Sequence, residues 1–163
     1  MCDYSLMAVP NRLAREGEEL VAYRFPTGSL GLASAGDVKR ATAPSAHPPK
    51  TLWMRLMDFF NPPRPEPVCA VCIPPGARLR LADIPMRLQY EYGTGLVEDV
   101  TFTQISALPN SYRDAVRFAN GREVRLQELR EGQRVQVLDL SVAEELDLNR
   151  LRQERAEFAY PLR

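Results

Sequence analysis

Three cysteines are the residues of this chain best suited to covalent chemistry: Cys2, Cys69 and Cys72. If the initiator methionine is removed, Cys2 carries a free amine that can act as its own base, the arrangement of an N-terminal nucleophile. Cys69 and Cys72 have the Cys-x-x-Cys spacing of redox couples and of half a zinc site, and Cys2 could supply a third ligand. One alternative is therefore a Cys2 enzyme, and another is a thiol metal or redox site.

The spacing of these cysteines favours a simpler interpretation. Residues three apart in a strand point to opposite faces, and no second Cys-x-x-Cys or Cys-x-x-His follows to complete four ligands. An odd number of cysteines in a chain without an export signal predicts reduced thiols. We therefore expect small buried side chains, with no metal and no cofactor.

The other polar motifs also have simple interpretations. His47 is the one histidine and lies in a proline-rich stretch, which argues against a catalytic triad or a multi-histidine metal site. The glycine-containing segments 27–31 and 93–95 lack the Walker lysine spacing and are interpreted as turns. Three carboxylates are expected on a solvated loop rim rather than in an acid–base pair: Glu91, Glu98 and Asp99. The chain is predicted not to be an enzyme.

Length and charge set the class of protein. The 163 residues suit one domain, at roughly 100–200 residues each. Lys and Arg number 21, as do Asp and Glu, so the broad positive field of a nucleic-acid binder is absent. No signal peptide is recognisable, and no segment approaches the ~18 apolar residues of a spanning helix. We expect a cytoplasmic protein.

Hydrophobic alternation predicts a mainly β fold, a small antiparallel β-barrel or sandwich built from residues 1–40 and 68–140. Strands are predicted over 18–25, 100–105 and 134–140, and segments 68–73 and 77–81 are predicted to form a hairpin. Residues 86–92 also alternate, although Pro85 leaves a single helical turn open as an alternative.

Turn and capping signals complete this prediction. Asn120-Gly121 lies between alternating segments within 112–129, which indicates a β-hairpin with a type I′ turn. Ser141 begins a capping box, so segment 141–163 is predicted to hold a surface helix over 141–157 and a tail.

Residues 41–67 form a predicted insert that contains half of the chain's 14 prolines. Within it, residues 51–60 predict a short helix that is apolar around most of its circumference. Its expected anchors are Trp53, Leu56, Met57 and Phe60. Such a helix must be covered, and three occupants stay open: a partner protein or second copy, the chain's own barrel, or a membrane surface reached through the basic flanks. The first predicts a protein-interaction or accessory module.

Two end regions of the chain resemble those of a family of small bacterial proteins. The resemblance rests on the opening MCDYSL, on VTFTQI at 100–105, and on the run at 114–140 with its Glu131-Gly132-Gln133 segment. It leaves out the insert and implies no activity, cofactor or catalytic residue. What it implies is one shared domain formed by the segments on either side of the insert.

Overall fold

The computed structural model describes residue 6 and residues 8–43, 67–105 and 112–142. The strands within these residues are β1 Asn11–Leu13, β2 Glu19–Arg24, β3 Leu30–Ser34, β4 Ala70–Cys72, β5 Arg78–Ala82, β6 Val97–Gln104, β7 Asp114–Phe118, β8 Glu123–Arg125 and β9 Arg134–Asp139. The helices there are α1 Ala35–Thr42, α2 Met86–Tyr92 and a 3-10 turn Leu126–Glu128. The prediction of a mainly β fold is confirmed.

All of these strands join one sheet that curls into a half-barrel. Their order is β1-β4-β3-β2-β9-β5-β6-β7-β8. Neighbouring strands run antiparallel except β1 and β4, which are parallel. The described residues therefore form a partial barrel rather than a two-sheet sandwich.

Alternation along each strand separates an inner, buried face from an outer face. In β5, Leu79 and Leu81 are buried while Arg78 and Arg80 are exposed. Each fully buried Leu, Ile or Val contributes roughly 1.5–3 kcal/mol, so the inner face supplies most of the stability. The strands and turns bring together these core side chains: Leu20, Leu30, Leu32, Val71, Ile73, Leu79, Leu81, Val100, Phe102, Val116, Phe118, Val124, Val135 and Val137.

Gln127, in the 3-10 turn after β8, is hydrogen-bonded to β3 and so holds the sheet in its curled form. Its Oε1 accepts a hydrogen bond from the Leu30 backbone N–H at 3.0 Å, and its Nε2 donates to the Leu30 carbonyl at 2.6 Å. The side-chain amide thus makes the two hydrogen bonds that a neighbouring strand would make. Gln127 thus gives hydrogen-bond partners to the buried N–H and C=O of Leu30 at a point where none of the described strands pairs with them.

Described residues cover part of the outer face of the sheet. Near β3 and β4 a second cluster packs on it, formed by Leu6, Val9, Phe25, Ala33 and Ala70. A Cβ on Gly31 would lie 2.5 Å from Leu6 Cδ1 and 3.0 Å from Phe25 Cε2. Glycine at this position therefore lets the N-terminal segment lie close against the sheet.

The hairpin of β7 and β8 is confirmed, but its predicted turn type is wrong. Gly121 donates to the Phe118 carbonyl at 2.9 Å and has φ +83°, whereas Asn120 does not have a positive φ. This is a type I turn followed by a left-handed glycine, the three-residue loop with a bulge. The conformation places the Asn120 amide where it accepts from Arg122 N at 3.0 Å and donates to the Tyr92 carbonyl at 2.8 Å.

The alternation at 86–92 is also misleading, because this segment is helix α2. Pro85 precedes it and needs no N–H partner, while Gly93 ends it in the left-handed region at φ 66°. Only Leu88 of the helix is buried. The alternative of a helical turn after Pro85 is the one that forms.

Strands β4 and β5 do not pair with each other, so the hairpin predicted for 68–73 and 77–81 is wrong. Pro74 and Pro75 offer no N–H for a ladder. After them, Gly76 donates to the Phe102 carbonyl at 2.9 Å and Phe102 donates to the Ala77 carbonyl at 2.8 Å. The turn therefore delivers β5 to β6, while β4 stays with β3 and β1.

Two further differences concern helices. Helix α1 begins at Ala35, in a segment expected to hold strands, and crosses the predicted insert boundary at residue 41. The predicted helix at 51–60 lies outside the described residues, as does the predicted helix at 141–157 apart from its first two positions.

Candidate functional site

Most side chains singled out by the sequence lie outside the described residues. These are Cys2, His47, Trp53, Leu56, Met57 and Phe60. The structure does place Cys69, immediately before β4, and Cys72, the last residue of β4. Within the described ranges, no three His, Cys, Asp or Glu side chains group closely enough to hold a metal ion.

The two placed cysteines are in different chemical states. Cys69 is a half-buried free thiol, whereas Cys72 is buried and disulfide-bonded, with its partner outside the described residues. The expectation of reduced thiols is therefore wrong at Cys72. An odd number of cysteines requires one unpaired thiol, but it does not prevent the other two from forming a disulfide. Cys69 and Cys72 are not bonded to each other, so they do not form a Cys-x-x-Cys redox couple here.

A groove of about 230 Å³ lies on the outer face, between α1 and the central strands β2, β9 and β5. Its lining includes three cations and one carboxylate. The lining residues are Glu19, Leu20, Val21, Ala35, Lys39, Arg80, Ala82, Arg134, Val135 and Gln136. This lining contains no Cys, His, Ser or Thr, so it offers a binding surface and no hydroxyl, thiol or imidazole nucleophile.

Ion pairs hold two of the groove's cations in place. Arg80 binds Asp99 through two hydrogen bonds of 2.7 and 3.2 Å, which hold the pKa of that carboxyl below its ordinary value. Arg134 Nε donates to Asp83 Oδ2 at 2.6 Å, and Asp83 adopts a left-handed φ of 60° that few residues other than Gly, Asn and Asp accept. Lys39 has no ion-pair partner among the described residues.

Exposed apolar side chains lie on helix α2 and at the start of β6, where Val97 pairs with the groove residue Ala82. Met86 is 83% exposed and Tyr90 is 94% exposed. They are four residues apart and share one helix face. Leu96 and Val97, just before β6 and at its first position, are 59% and 50% exposed. We call Met86, Tyr90, Leu96 and Val97 the α2 patch.

Helix α2 is fixed to the barrel on three sides. Leu88 packs into the core with 1% exposure. The C-terminal carbonyls of the helix receive side-chain donors from the β7–β8 turn, Asn120 to Tyr92 at 2.8 Å and Arg122 to Glu91 at 2.7 Å. These bonds satisfy acceptors that a helix end leaves unpaired, so the exposed side chains stand on a rigid support.

The Tyr92 ring adds a further contact between α2 and the barrel. Its hydroxyl donates to Glu128 Oε2 at 2.9 Å, and its ring centroid lies 5.8 Å from that of Phe118. Burial and the Glu128 hydrogen bond both raise the pKa of Tyr92. The hydroxyl therefore stays protonated near neutral pH and keeps donating this bond.

The groove and the first residue of β6 lie on the same outer face of the sheet. Strand register sets Val21 opposite Arg134, Arg134 opposite Ala82, and Ala82 opposite Val97. This cross-strand row runs over the outer face from β2 to β6.

The sequence contained signals for this surface that the alternation concealed. Pro85 and Gly93 bracket seven residues, which is a start-and-stop pattern for two helical turns. Arg87 and Glu91 are spaced to pair across one turn, and they do so at 2.8 Å. These signals together outweigh a period-two pattern of only four apolar residues.

Comparison with known proteins gives no relative: no family model, no curated protein and no solved structure matches the chain. No helix in the described part of the chain is long and apolar enough to cross a membrane.

Proposed function

We propose that this chain is a small, non-catalytic protein-interaction module that binds another protein through the α2 patch. The observation that carries the proposal is the exposure of Met86 and Tyr90, at 83% and 94%, on a helix whose other contacts are fixed. Contiguous exposed apolar surface with a polar rim is typical of protein interaction sites.

The chemistry of the patch supports a protein partner. Aromatic residues and Met are enriched at interface centres, where truncation of one anchor commonly costs more than 1 kcal/mol. Because the barrel and the Asn120 and Arg122 hydrogen bonds already hold α2, little backbone ordering opposes binding. A partner gains the contact area at low entropic cost.

The helix predicted at 51–60 enters the same proposal as a second anchor, with Trp53, Leu56, Met57 and Phe60 toward the partner. Its supports are the sequence pattern and its attachment. The segment leaves the described domain at the end of α1, beside the groove that Lys39 lines, and returns ahead of β4.

The test is co-isolation of the tagged full chain, after brief amine crosslinking, from the cells that make it. Four proteins are compared: wild type, Met86→Ser with Tyr90→Ser, Trp53→Ser with Phe60→Ser, and the control Leu13→Ser. Leu13 is 71% exposed on β1 and lies outside the α2 patch. Wild type and control should yield a discrete crosslinked complex. The Met86 and Tyr90 double variant should yield roughly tenfold less, as the loss of two anchors implies.

Two results would overturn the proposal. One is an equal yield of complex from the α2 variant and the wild type, and the other is no complex from any protein. Loss of complex only in the Trp53 and Phe60 variant would transfer the function from α2 to the insert. If that variant instead loses only its binding to anionic vesicles, the insert is a membrane contact and not a second anchor.

A further inference from the structure

We infer that the partner of the α2 patch is a second copy of this chain, bound with the two α2 helices antiparallel across a two-fold axis. This inference rests on the proposed function and names its partner. It comes from the charges that flank the patch on one side and the apolar residues that flank it on the other.

The charged flank is made by Arg87 and Glu91. At 3.6 residues per turn, each follows its neighbour in the exposed stripe, Met86 or Tyr90, by about 100° around the helix. Both lie on the same side of that stripe, and they pair with each other at 2.8 Å while remaining half exposed or more. One side of the patch therefore carries the Arg87 cation toward the start of the helix and the Glu91 anion toward its end, and Arg122 is bound to the Glu91 carbonyl at that end.

The apolar flank lies on the opposite side of the stripe. Gln89, about 60° away from Met86 in the other direction, donates through Nε2 to the Ile84 carbonyl at 2.6 Å. Ile84 N in turn donates to the Leu96 carbonyl at 3.0 Å. These bonds place the Leu96 and Val97 segment beside the Gln89 side of the helix, away from Arg87.

A two-fold axis perpendicular to the two helices brings each flank of one copy against the same flank of the other copy. In an antiparallel pair of this kind, the charged flanks of the two copies meet with their direction reversed. Arg87 of one copy then faces Glu91 of the other, twice, and Met86 faces Tyr90. The apolar flanks meet in the same way, Leu96 and Val97 against their counterparts. The surface is self-complementary, as an isologous interface requires.

A parallel arrangement of the two helices does not match each flank with its own counterpart. With the axis along the helices, the flank of Arg87 and Glu91 would lie against the flank of Leu96 and Val97. That arrangement takes the Arg87–Glu91 ion pair out of water against an apolar surface and adds no charged partner from the other copy. The distribution of side chains around α2 therefore selects one orientation.

The test is sedimentation equilibrium of the full chain with charge reversals. Wild type should sediment at twice the chain mass, and so should the Leu13→Ser control. Arg87→Glu alone makes two carboxylates face each other at both contacts, and Glu91→Arg alone makes two guanidinium groups do so. Each variant should therefore dimerise roughly tenfold or more weakly. Mixing the two variants should restore the dimer mass, because one chain then carries Glu at both positions and the other carries Arg at both, so that both facing pairs are of opposite charge. Carrying both substitutions in one chain should restore it as well.

Mixing separates an interface effect from damage to the fold, since a helix weakened within one chain is not repaired by adding another protein. A wild type that stays monomeric, or a mixture that stays monomeric beside a dimeric wild type, overturns the inference. If co-isolation then still yields a complex that depends on Met86 and Tyr90, the interaction module stands with a different partner. If it yields none, both proposals fail.

Discussion

Replacing Gln127 by Met should loosen the curl of the sheet without creating a cavity. The substitution keeps the side-chain length and removes both hydrogen bonds to the backbone of Leu30, of 3.0 and 2.6 Å. Leu30 is 3% exposed, so its N–H and C=O would be left buried without these partners. Each such group costs about 1–3 kcal/mol. Allowing for partial relaxation, we expect a loss of about 2–4 kcal/mol in the free energy of unfolding.

Urea and thermal unfolding followed by circular dichroism would measure this loss. For a protein of this size, 1 kcal/mol corresponds to about 2–4 °C in melting temperature, so the expected decrease is roughly 4–15 °C. The matched control is Gln136→Met, on the outer face of β9, where the glutamine side chain has no hydrogen bond among the described residues. It should change the unfolding free energy by less than about 0.5 kcal/mol.

Gln127→Glu separates the two hydrogen bonds. Its carboxylate can still accept from Leu30 N–H but repels the Leu30 carbonyl, which should raise the pKa of the new carboxyl in the folded state. Acidification should therefore restore part of the stability, which is lost again as the pH rises through that raised pKa. A Gln127→Met protein as stable as Gln136→Met would refute the role of this amide in closing the curl.

Three further predictions follow from the same packing. The hydrogen bond from Arg12 lowers the pKa of Glu18, so the stability that this pair contributes is complete above about pH 4.3 and is lost as the pH falls through the lowered pKa. The unfolding free energies of wild type and Glu18→Gln, measured by urea titration, should therefore converge at acid pH. A difference that stays constant with pH would contradict this. Gly31→Ala should lower the free energy of unfolding by about 1–3 kcal/mol, because the added methyl group collides with Leu6. The control Gly36→Ala, in α1, should leave the melting temperature equal or higher. Equal losses from the two substitutions would contradict the packing of Leu6 on Gly31. Because Cys72 is disulfide-bonded and the chain has 3 cysteines, thiol titration of the denatured, unreduced protein should find one thiol per chain rather than three.

The parts of the fold that the sequence predicts are those governed by local pattern. Strands β2, β6 and β9 follow from alternation, since one face of each is buried against the core. The β7–β8 hairpin follows from its Asn-Gly pair. Its turn type does not, because the Asn120 side chain reaches Tyr92, a residue 28 positions away.

Long-range strand pairing and the candidate site are less predictable from the sequence, because they too depend on residues far apart in the chain. Nothing local to 68–81 shows that Phe102 takes the backbone hydrogen bonds at the start of β5. Helix α2 is the opposite case, because its short apolar alternation predicts a strand while Pro85 and Gly93 mark the ends of a helix. An exposed Met86 and Tyr90 cannot be recognised until the buried face of their helix is known.

The most direct test of the interaction module is site-specific photo-crosslinking in the cell, with a photoactivatable residue in place of Tyr90 in one protein and Leu13 in another. Both positions are highly exposed, at 94% and 71%, so random collisions label them alike. We predict one discrete crosslinked protein species from position 90 and none from position 13. The same pattern of products from both positions, or no product from position 90, would contradict a partner bound at α2.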